Sequence, residues 1–363
     1  MKNNLLRITR EILSNSTAPF REKAVREYVQ SFCLKRNILC KEDDFGNLIV
    51  GSEIESKGKS FTFVAHMDHP GFFIEKITGK NSATALFYGG WDPSEFKAAP
   101  VLIFSSGGPV KARAIQWEIA SKEHARRAYL KFNGTVSVGD TGMWDLDVFR
   151  KENDLIFSRA CDDLIGCALI LTVLDFQHKN NALSLRAVFT VAEECGLHGA
   201  KYICSKKLLS KRTTLPISVE TSRALPNAAL GDGVIIRVGD SRTIFSPEVI
   251  DFMIETAREL KKNDKKFTYQ RKLMDGGQCE GSIFSDFGFS TAGISIPLCN
   301  YHNRNFSKGT TESEYVSIND LLSAVKLIDA LSKNNFRGSL RKIPKYKEES
   351  GILGQRFLLP LTL

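Results

Sequence analysis

Acidic residues and histidines recur at five places along this 363-residue chain, nearly always at the end of an apolar run. In chain order, the residues at these places are His66 and Asp68, Asp162 and Asp163, Glu193 and Glu194, Glu220, and His302. Carboxylate oxygens combined with two imidazoles suit a pair of zinc-like ions that share a ligand better than they suit a single ion. The set therefore predicts a metal-dependent hydrolase.

Each motif alone also has a purely structural explanation. Asp162 and Asp163 open a predicted helix, where carboxylates commonly cap the positive end of the helix dipole. Glu193 and Glu194 follow the run AVFTVA and could be an ordinary acidic loop, although one could bind a metal while the other takes a proton from water. An isolated histidine such as His302 is often a buried, hydrogen-bonded residue. Only the ordered set favours a metal site.

Predicted strands and helices alternate around these residues and place several of them at strand ends. His66 follows the apolar run SFTFVA, and Asp68 lies two residues later, where it could orient the second imidazole nitrogen of His66. Open α/β sheets bind ligands at the carboxyl ends of their strands. The remaining pattern predicts strands at 44–50, 185–192 and 215–219 and helices at 1–13, 17–35, 162–176, 199–209, 247–260 and 318–332.

Residues 71–155 differ from the rest of the chain. Short apolar segments there are separated by Gly, Pro, Asn and Asp, with little helical periodicity. We therefore expect an α/β fold, in which a mixed, mostly parallel sheet is sandwiched by helices and carries an inserted small β-barrel-like domain. The expected catalytic domain comprises 1–70 and 156–340, the insert comprises 71–155, and 341–363 form a C-terminal tail.

Composition excludes several classes of protein. Hydrophobic residues make up 42% of the chain, but no run is long enough for a membrane span, and the first residues read as an amphipathic helix rather than a signal peptide. The eight cysteines never form a CxxC pair, which indicates reduced thiols and a cytoplasmic location. The net charge of +9 is dispersed without interleaved aromatics, so nucleic acid is not an expected partner.

Four motifs together resemble a known family. In chain order they are AHMDHPGF, SRACDDLIGC, TVAEECGLHGA and SIPLCNYHN. Their order is similar to that in the tetrahedral and glutamyl aminopeptidases, which are co-catalytic metallopeptidases. GNLIVG near the start, GGWDP and VGD in the insert, and the Gly pair before the last motif also fit. The resemblance therefore covers most of the chain.

The resemblance implies two divalent metal ions per subunit, zinc or cobalt, whose ligands are His66, Asp162, Glu194, Glu220 and His302. Asp162 bridges the two ions in this assignment. His66 and Glu220 complete one site, and Glu194 and His302 complete the other.

The same resemblance implies that Glu193 is the general base, that Asp68 supports His66, and that the peptide bond between Asp162 and Asp163 is cis. It further implies a cytoplasmic aminopeptidase that removes N-terminal residues from peptides and assembles as a homo-oligomer, from a dimer formed through the insert to a dodecamer.

The chain also departs from the family pattern, which leaves alternatives open. The family usually has Asp at Glu220, Glu at His69, Ile at Pro70 and Arg at Leu164. A two-metal carboxypeptidase or deacylase uses the same chemistry, and an oligomeric homologue without activity would keep the same motifs. A metal-free glycosidase requires two carboxylates across a sugar, whereas Glu193 and Glu194 are adjacent.

Overall fold

The computed structural model describes residues 1–51, 58–89, 99–120, 125–334 and 336. The expected tail and the WDP residues of the GGWDP motif lie outside the described residues. Within the described ranges, a 3-10 turn covers Tyr301–Asn303, and the helices are α1 (Lys2–Leu13), α2 (Lys23–Leu34), α3 (Cys161–Lys179), α4 (His198–Ser205), α5 (Pro247–Asn263), α6 (Glu280–Asp286) and α7 (Ile318–Lys333).

The strands fall into three groups along the chain. The first group is β1 (Cys40–Glu42), β2 (Leu48–Gly51) and β3 (Ser60–His66). The second is β4 (Gly71–Gly79), β5 (Ser82–Tyr88), β6 (Ala99–Ser105), β7 (Gly108–Ile119), β8 (Ala125–Phe132) and β9 (Thr141–Trp144). The third is β10 (Arg150–Glu152), β11 (Leu155–Ser158), β12 (Arg186–Thr190), β13 (Thr214–Arg223), β14 (Val234–Arg237), β15 (Tyr269–Lys272), β16 (Ala292–Leu298), β17 (Arg304–Asn305), β18 (Thr310–Thr311) and β19 (Glu314–Ser317).

One eight-stranded sheet organises the main part of the molecule, with the strand order β1-β2-β12-β3-β13-β16-β14-β15. Its four central strands, β12, β3, β13 and β16, run parallel to one another, and β14 is parallel to β15. The β1–β2, β2–β12 and β14–β16 pairs are antiparallel. The expectation of a mixed, mostly parallel sheet is confirmed.

Helices cover both faces of this sheet because its central strands are apolar on both sides. In β3, Phe63 belongs to the apolar core that also includes residues of α1, α2, α3, α5 and α7, whereas its neighbour Val64 belongs to a second core with residues of α4 and α6. Alternate residues of a strand point to opposite faces, so the run SFTFVA serves both layers. Helix α3 is buried almost all round, as expected for a helix at the centre of a core.

The insert forms a closed six-stranded antiparallel barrel with the order β4-β5-β8-β7-β6-β9. Its interior is a separate apolar core that includes Phe72, Phe87 and Trp144. The ring centroids of Phe87 and Trp144 lie 5.3 Å apart. The expected barrel-like insert is therefore confirmed.

Several sequence-based boundaries were wrong, two of them close to predicted site residues. The second helix begins at Lys23 rather than near Thr17, because Thr17 instead donates a hydrogen bond from its hydroxyl to the carbonyl of Met67. The strand expected to end at Val219 continues to Arg223, so Glu220 lies inside a strand. Pairing of β13 with β3 nevertheless stops at Ser218, and Glu220 lies beyond it, paired only with β16.

Within the described ranges, we find no helix that is both long and apolar enough to cross a membrane.

Candidate metal centre

The carboxyl ends of three adjacent strands bring the predicted residues together. His66 is the last residue of β3 and pairs in register with Thr190, the last residue of β12. The Glu193–Glu194 turn follows β12, and Glu220 lies on β13 on the other side of β3. Parallel strands end at the same edge of a sheet, which is why residues 150 positions apart in the chain meet here.

Asp162 lies between the two histidines, at the start of α3. Its Oδ1 is 3.5 Å from Nε2 of His66, and its Oδ2 is 3.6 Å from Nε2 of His302. Neither Asp162 nor Asp163 has helical backbone angles, and the peptide bond between them is cis. One carboxylate thus presents one oxygen to each histidine, as a bridging ligand would.

His302 forms the tighter half of the cluster. Its Nε2 is 3.2 Å from Oε1 of Glu194. The buried carboxylate of Glu314 accepts the backbone N–H of His302 at 2.8 Å and that of Asp162 at 3.1 Å. His302 has a left-handed backbone with φ of 54°, an uncommon conformation for a non-glycine residue. Glu314 therefore ties the two ligand-bearing segments to each other.

His66 forms the looser half. Its Nε2 is 3.9 Å from Oε2 of Glu220 and 4.0 Å from Oε2 of Glu193. Its other ring nitrogen, Nδ1, is 3.1 Å from the backbone carbonyl of Asp68 and 3.5 Å from the Asp68 carboxylate. Asp163 is also close enough to His66 and Glu220 to share an ion with them.

Two buried carboxyl groups hold the turn that carries Glu193 and Glu194. Asp68 accepts the backbone N–H of Glu193 on one oxygen and that of Glu194 on the other, both at 3.0 Å. Glu22 accepts the N–H of Ala192 at 3.0 Å. Burial, and next the nearby Asp68, raise the pKa of Glu22 to about 8. The turn is fixed before any ligand arrives.

His69 connects two further parts of the site. Its Nδ1 contacts the backbone carbonyl of Asp162 at short range, and its Nε2 is 3.0 Å from the side-chain oxygen of Asn303. Burial lowers the pKa of this histidine. His69 therefore links the segment of Asp162 to the one that carries His302.

Negative charge dominates the cluster. Burial and the Glu280 and Glu193 carboxylates raise the pKa of Glu220 well above its usual range, against His66. Burial alone would lower the pKa of His66, but the carboxylates around it, Glu193 foremost, raise it well above the ordinary value. Buried carboxyl groups this close together must be neutralised by protons or balanced by cations.

The residues present fit divalent metal ions. Among the described residues, four buried atoms around the cluster lack a well-directed hydrogen bond, namely Oδ1 of Asp162, Oδ2 of Asp163, Oε1 of Glu194 and Nε2 of His302, although the last two lie 3.2 Å apart. Buried polar atoms are normally satisfied, so unpaired acceptors that converge on one point indicate a cation site. Carboxylate oxygens and imidazole nitrogens are also the donor set that zinc accepts.

The cluster forms the floor of a cavity of about 280 Å³. Around it the walls include Arg223, Met274, Tyr301 and Phe306. The guanidinium of Arg223 lies 4.5 Å from the centre of the Phe306 ring. A concave pocket with converging polar groups is the usual form of an active site.

The structure thus brings all seven sequence-predicted site residues together: six line the cavity, and Asp68 contacts His66 and the turn of Glu193 and Glu194 from behind. Their individual roles stay predictions. Glu314, Glu22 and Glu280 also belong to the site, and sequence reasoning missed them. Each is an isolated acid, and none of the three follows an apolar run as the other carboxylates do.

Comparison with known proteins agrees with this geometry. The sequence profile of the M42 glutamyl aminopeptidases matches residues 46–327. A relative from Acetivibrio thermocellus, named an aminopeptidase only provisionally, is 27% identical over 303 residues, covering 79% of this chain and 86% of its own. The glutamyl aminopeptidase of Lactococcus lactis subsp. cremoris is 25% identical over 268 residues, with coverages of 66% and 74%.

A similar fold is found among solved structures. The TET1 peptidase of Pyrococcus horikoshii, described as assembling into a tetrahedron or a large octahedral shell, superposes with a TM-score of 0.73 at 22% identity. The match covers 90% of this chain and 99% of that one. Agreement at this identity concerns the fold, including the barrel insert.

Proposed function

Because the chain belongs to the M42 glutamyl aminopeptidase family of metal-dependent peptide hydrolases, we propose that its cluster holds two divalent ions, zinc or cobalt, and removes N-terminal residues from peptides. The observation that carries the proposal is the position of Asp162, whose two oxygens face two different histidines. His66 and Glu220 hold one ion, and Glu194 and His302 hold the other.

The ions supply Lewis acidity toward the peptide carbonyl and make the attacking water easier to deprotonate. Glu193 is the proton carrier in this proposal. Burial, with Glu194 and Glu280, raises its pKa well above the usual range against the effect of His66, which suits a base that must accept and then return a proton. It passes that proton to the departing amine.

Asp68 keeps this base in place. By accepting the N–H groups of Glu193 and Glu194, it fixes the backbone from which both side chains project. Its carbonyl also lies within hydrogen-bond distance of Nδ1 of His66, which leaves Nε2 free to bind a metal.

The substrate is a peptide with a free terminal amine. The cavity volume of about 280 Å³ lies near the lower end, roughly 300 Å³, of small-molecule pockets, which supports entry of a chain end rather than the middle of a polypeptide. Buried carboxylates on the cavity floor favour a positively charged α-amine over a blocked one.

The test uses a panel of aminoacyl p-nitroanilides and short peptides, each supplied with a free and an acetylated N-terminus, with Zn²⁺ or Co²⁺ added. We expect release only from free amines, loss of release with a chelator, and a fall in kcat of about 10²–10⁴-fold in Glu193→Gln with metal content retained. Glu27→Gln, an exposed exchange of the same type, is the matched control. Cleavage of acetylated substrates instead would support a deacylase, and turnover by Glu193→Gln at the control rate would exclude Glu193 as the base.

Two wider properties belong to the proposal. We propose a homo-oligomer built through the barrel, supported by exposed apolar residues on it, including Ile119 (76% exposed) and Val138 (64% exposed). A cytoplasmic location is supported by eight cysteines that are all free thiols. Light scattering of the purified protein, with Ile119→Glu as the variant, tests the interface.

A further inference from the structure

Glu280 is a fully buried carboxyl group that the proposed mechanism leaves unused. It is the first residue of α6 and lies beneath Glu193 and Glu220, close enough for the three carboxylates to surround a common point. Burying a carboxyl group beside two others costs free energy unless its contacts repay that cost. Its contacts therefore indicate what it does.

Both oxygens of Glu280 are engaged by hydroxyl groups on neighbouring strands. Thr190, which ends β12, donates its hydroxyl hydrogen to Oε1 of Glu280 at 2.6 Å. The hydroxyl oxygen of Ser218 on β13 is 3.1 Å from Oε2 of Glu280. Since both oxygens already have partners, Glu280 is oriented as a hydrogen-bonding group rather than as a metal ligand.

Ser218 continues this connection to Glu220. Its hydroxyl lies 3.0 Å from Oε1 of Glu220, which points to the same face of β13 two residues later. The other oxygen of Glu220, Oε2, faces His66 at 3.9 Å. Ser218 has one hydroxyl hydrogen, so when it donates to Glu220 its oxygen is left to accept a hydrogen from the Glu280 side. The other oxygen of Glu220 then stays available for an ion.

We propose that Glu280 is a positioning residue that, through Ser218, holds Glu220 in its metal-binding orientation. The inference rests on the proposed metal site. A glutamate ligand has a longer and more mobile side chain than an aspartate, and ordering such a chain costs rotamer freedom. The Thr190–Glu280–Ser218 chain provides that order before the ion binds, because all three residues are buried within the sheet and α6.

The experiment measures metal binding directly, by titrating the metal-free full chain with Co²⁺ and recording the visible absorption of the bound ion. Ser218→Ala removes the connection, and Glu280→Leu removes its anchor. Glu280→Gln keeps it, because the amide oxygen still accepts from Thr190 and the amide N–H donates to Ser218, whose hydrogen then serves Glu220. Ser323→Ala, a buried serine whose hydroxyl accepts the N–H of Thr268, is the control.

We expect Ser218→Ala and Glu280→Leu to weaken one of the two Co²⁺ sites by about 10–100-fold and to change its absorption spectrum, with the other site unaffected. Glu280→Gln and Ser323→Ala should bind within about threefold of the unmodified protein. Equal losses in Glu280→Gln and Glu280→Leu would show that the charge of Glu280 itself matters and would overturn the proposal, as would unchanged binding in Ser218→Ala. If Glu280→Leu does not fold, the Co²⁺ affinities of Ser218→Ala and Glu280→Gln still test the proposal. None of these measurements depends on peptide cleavage. If the unmodified protein binds two ions but does not cleave peptides, the proposed activity is contradicted, and the proposed role of Glu280 is not.

Discussion

Charged side chains are buried at the carboxyl edge of the sheet, where the proposed metal site lies, but are partly exposed in the barrel. At the sheet edge, carboxylates such as Asp162, Glu220 and Glu314 are buried beside one another. In the barrel, Glu75 and Glu118 pair with Arg127 on the outer surface, and the side chains of Glu75 and Arg127 are each about 30% exposed. The barrel interior is built around a cluster of buried apolar side chains, including Phe72, Phe87 and Trp144.

The difference separates charge that stabilises the fold from charge that serves a ligand. A half-exposed ion pair is screened by water and contributes little in either direction. A buried carboxylate persists only where backbone N–H groups, hydroxyls or cations satisfy it. Removal of a charge should therefore have large effects at the sheet edge and small effects in the barrel.

The largest effect is expected for Glu314→Gln. The Gln amide has one oxygen where Glu314 has two, so its NH2 group would face one of the two backbone N–H groups, of Asp162 or His302, and leave both buried donors unsatisfied. We expect a loss of about 3–5 kcal/mol in the free energy of unfolding together with reduced metal content. Urea unfolding and metal analysis measure these. Glu312→Gln, two residues away and paired with Lys308 near the surface, is the control and should change stability by less than about 1 kcal/mol. Similar values for the two variants would contradict the comparison.

A smaller effect on the free energy of unfolding is expected for Asp320→Asn. Its pH dependence should be opposite to that of Glu75 in the barrel. The Asp320 carboxyl group is buried in α7 and accepts the N–H groups of Gly231 and Gly233, and burial raises its pKa to about 6. A raised pKa means that its stabilising contribution is complete below about pH 4 and is lost as the pH rises through 6, by about 2–3 kcal/mol. Asp320→Asn should remove that loss. The measurement is the free energy of unfolding of the variant minus that of the unmodified protein, determined at several pH values from about 4 to about 7.5. A difference that does not change with pH would exclude this assignment.

The smallest effect is expected for Glu75→Gln in the barrel. The hydrogen-bonded Arg127 lowers the pKa of Glu75, so its contribution is present above about pH 4.5 and is lost as the pH falls. The pair is partly exposed, and we expect a change of about 0.5–1 kcal/mol at neutral pH. Salt should weaken the Glu75–Arg127 ion pair further. The free energy of unfolding of both proteins in low and in high NaCl measures this. A loss above about 3 kcal/mol would erase the distinction between the two regions.

The sequence predicted those site residues that follow apolar runs. His66, Glu193 and Glu220 all come after hydrophobic stretches, and the edge of a parallel sheet brings such positions together. The mixed sheet and the barrel were predictable for a similar reason, since the change from alternating helices and strands to short β segments marks the insert. The length of β13 was harder to predict from the sequence. This strand extends past Glu220 by pairing with β16 alone, and that pairing depends on the folded chain.

The supporting carboxyl groups were not predictable from the sequence. Glu314 contacts Asp162 across 152 positions of sequence, and Glu22 contacts Ala192 across 170. Such contacts follow from tertiary structure, and no local pattern distinguishes these residues from other acids in loops and strands. His69 was noticed only as a departure from the family pattern, whereas its contacts with Asp162 and Asn303 depend on the folded chain.

Asp68 joins the proposed proton acceptor, Glu193, and a proposed metal ligand, Glu194, in one rigid turn. A single carboxylate clamps two consecutive peptide groups, so Glu193 and Glu194 cannot shift separately. Mutations that move this turn should consequently alter turnover and ion affinity in proportion, whichever face of the turn they touch. Laboratory evolution that selects for tighter ion binding at Glu194 would therefore also change the rate of proton transfer at Glu193.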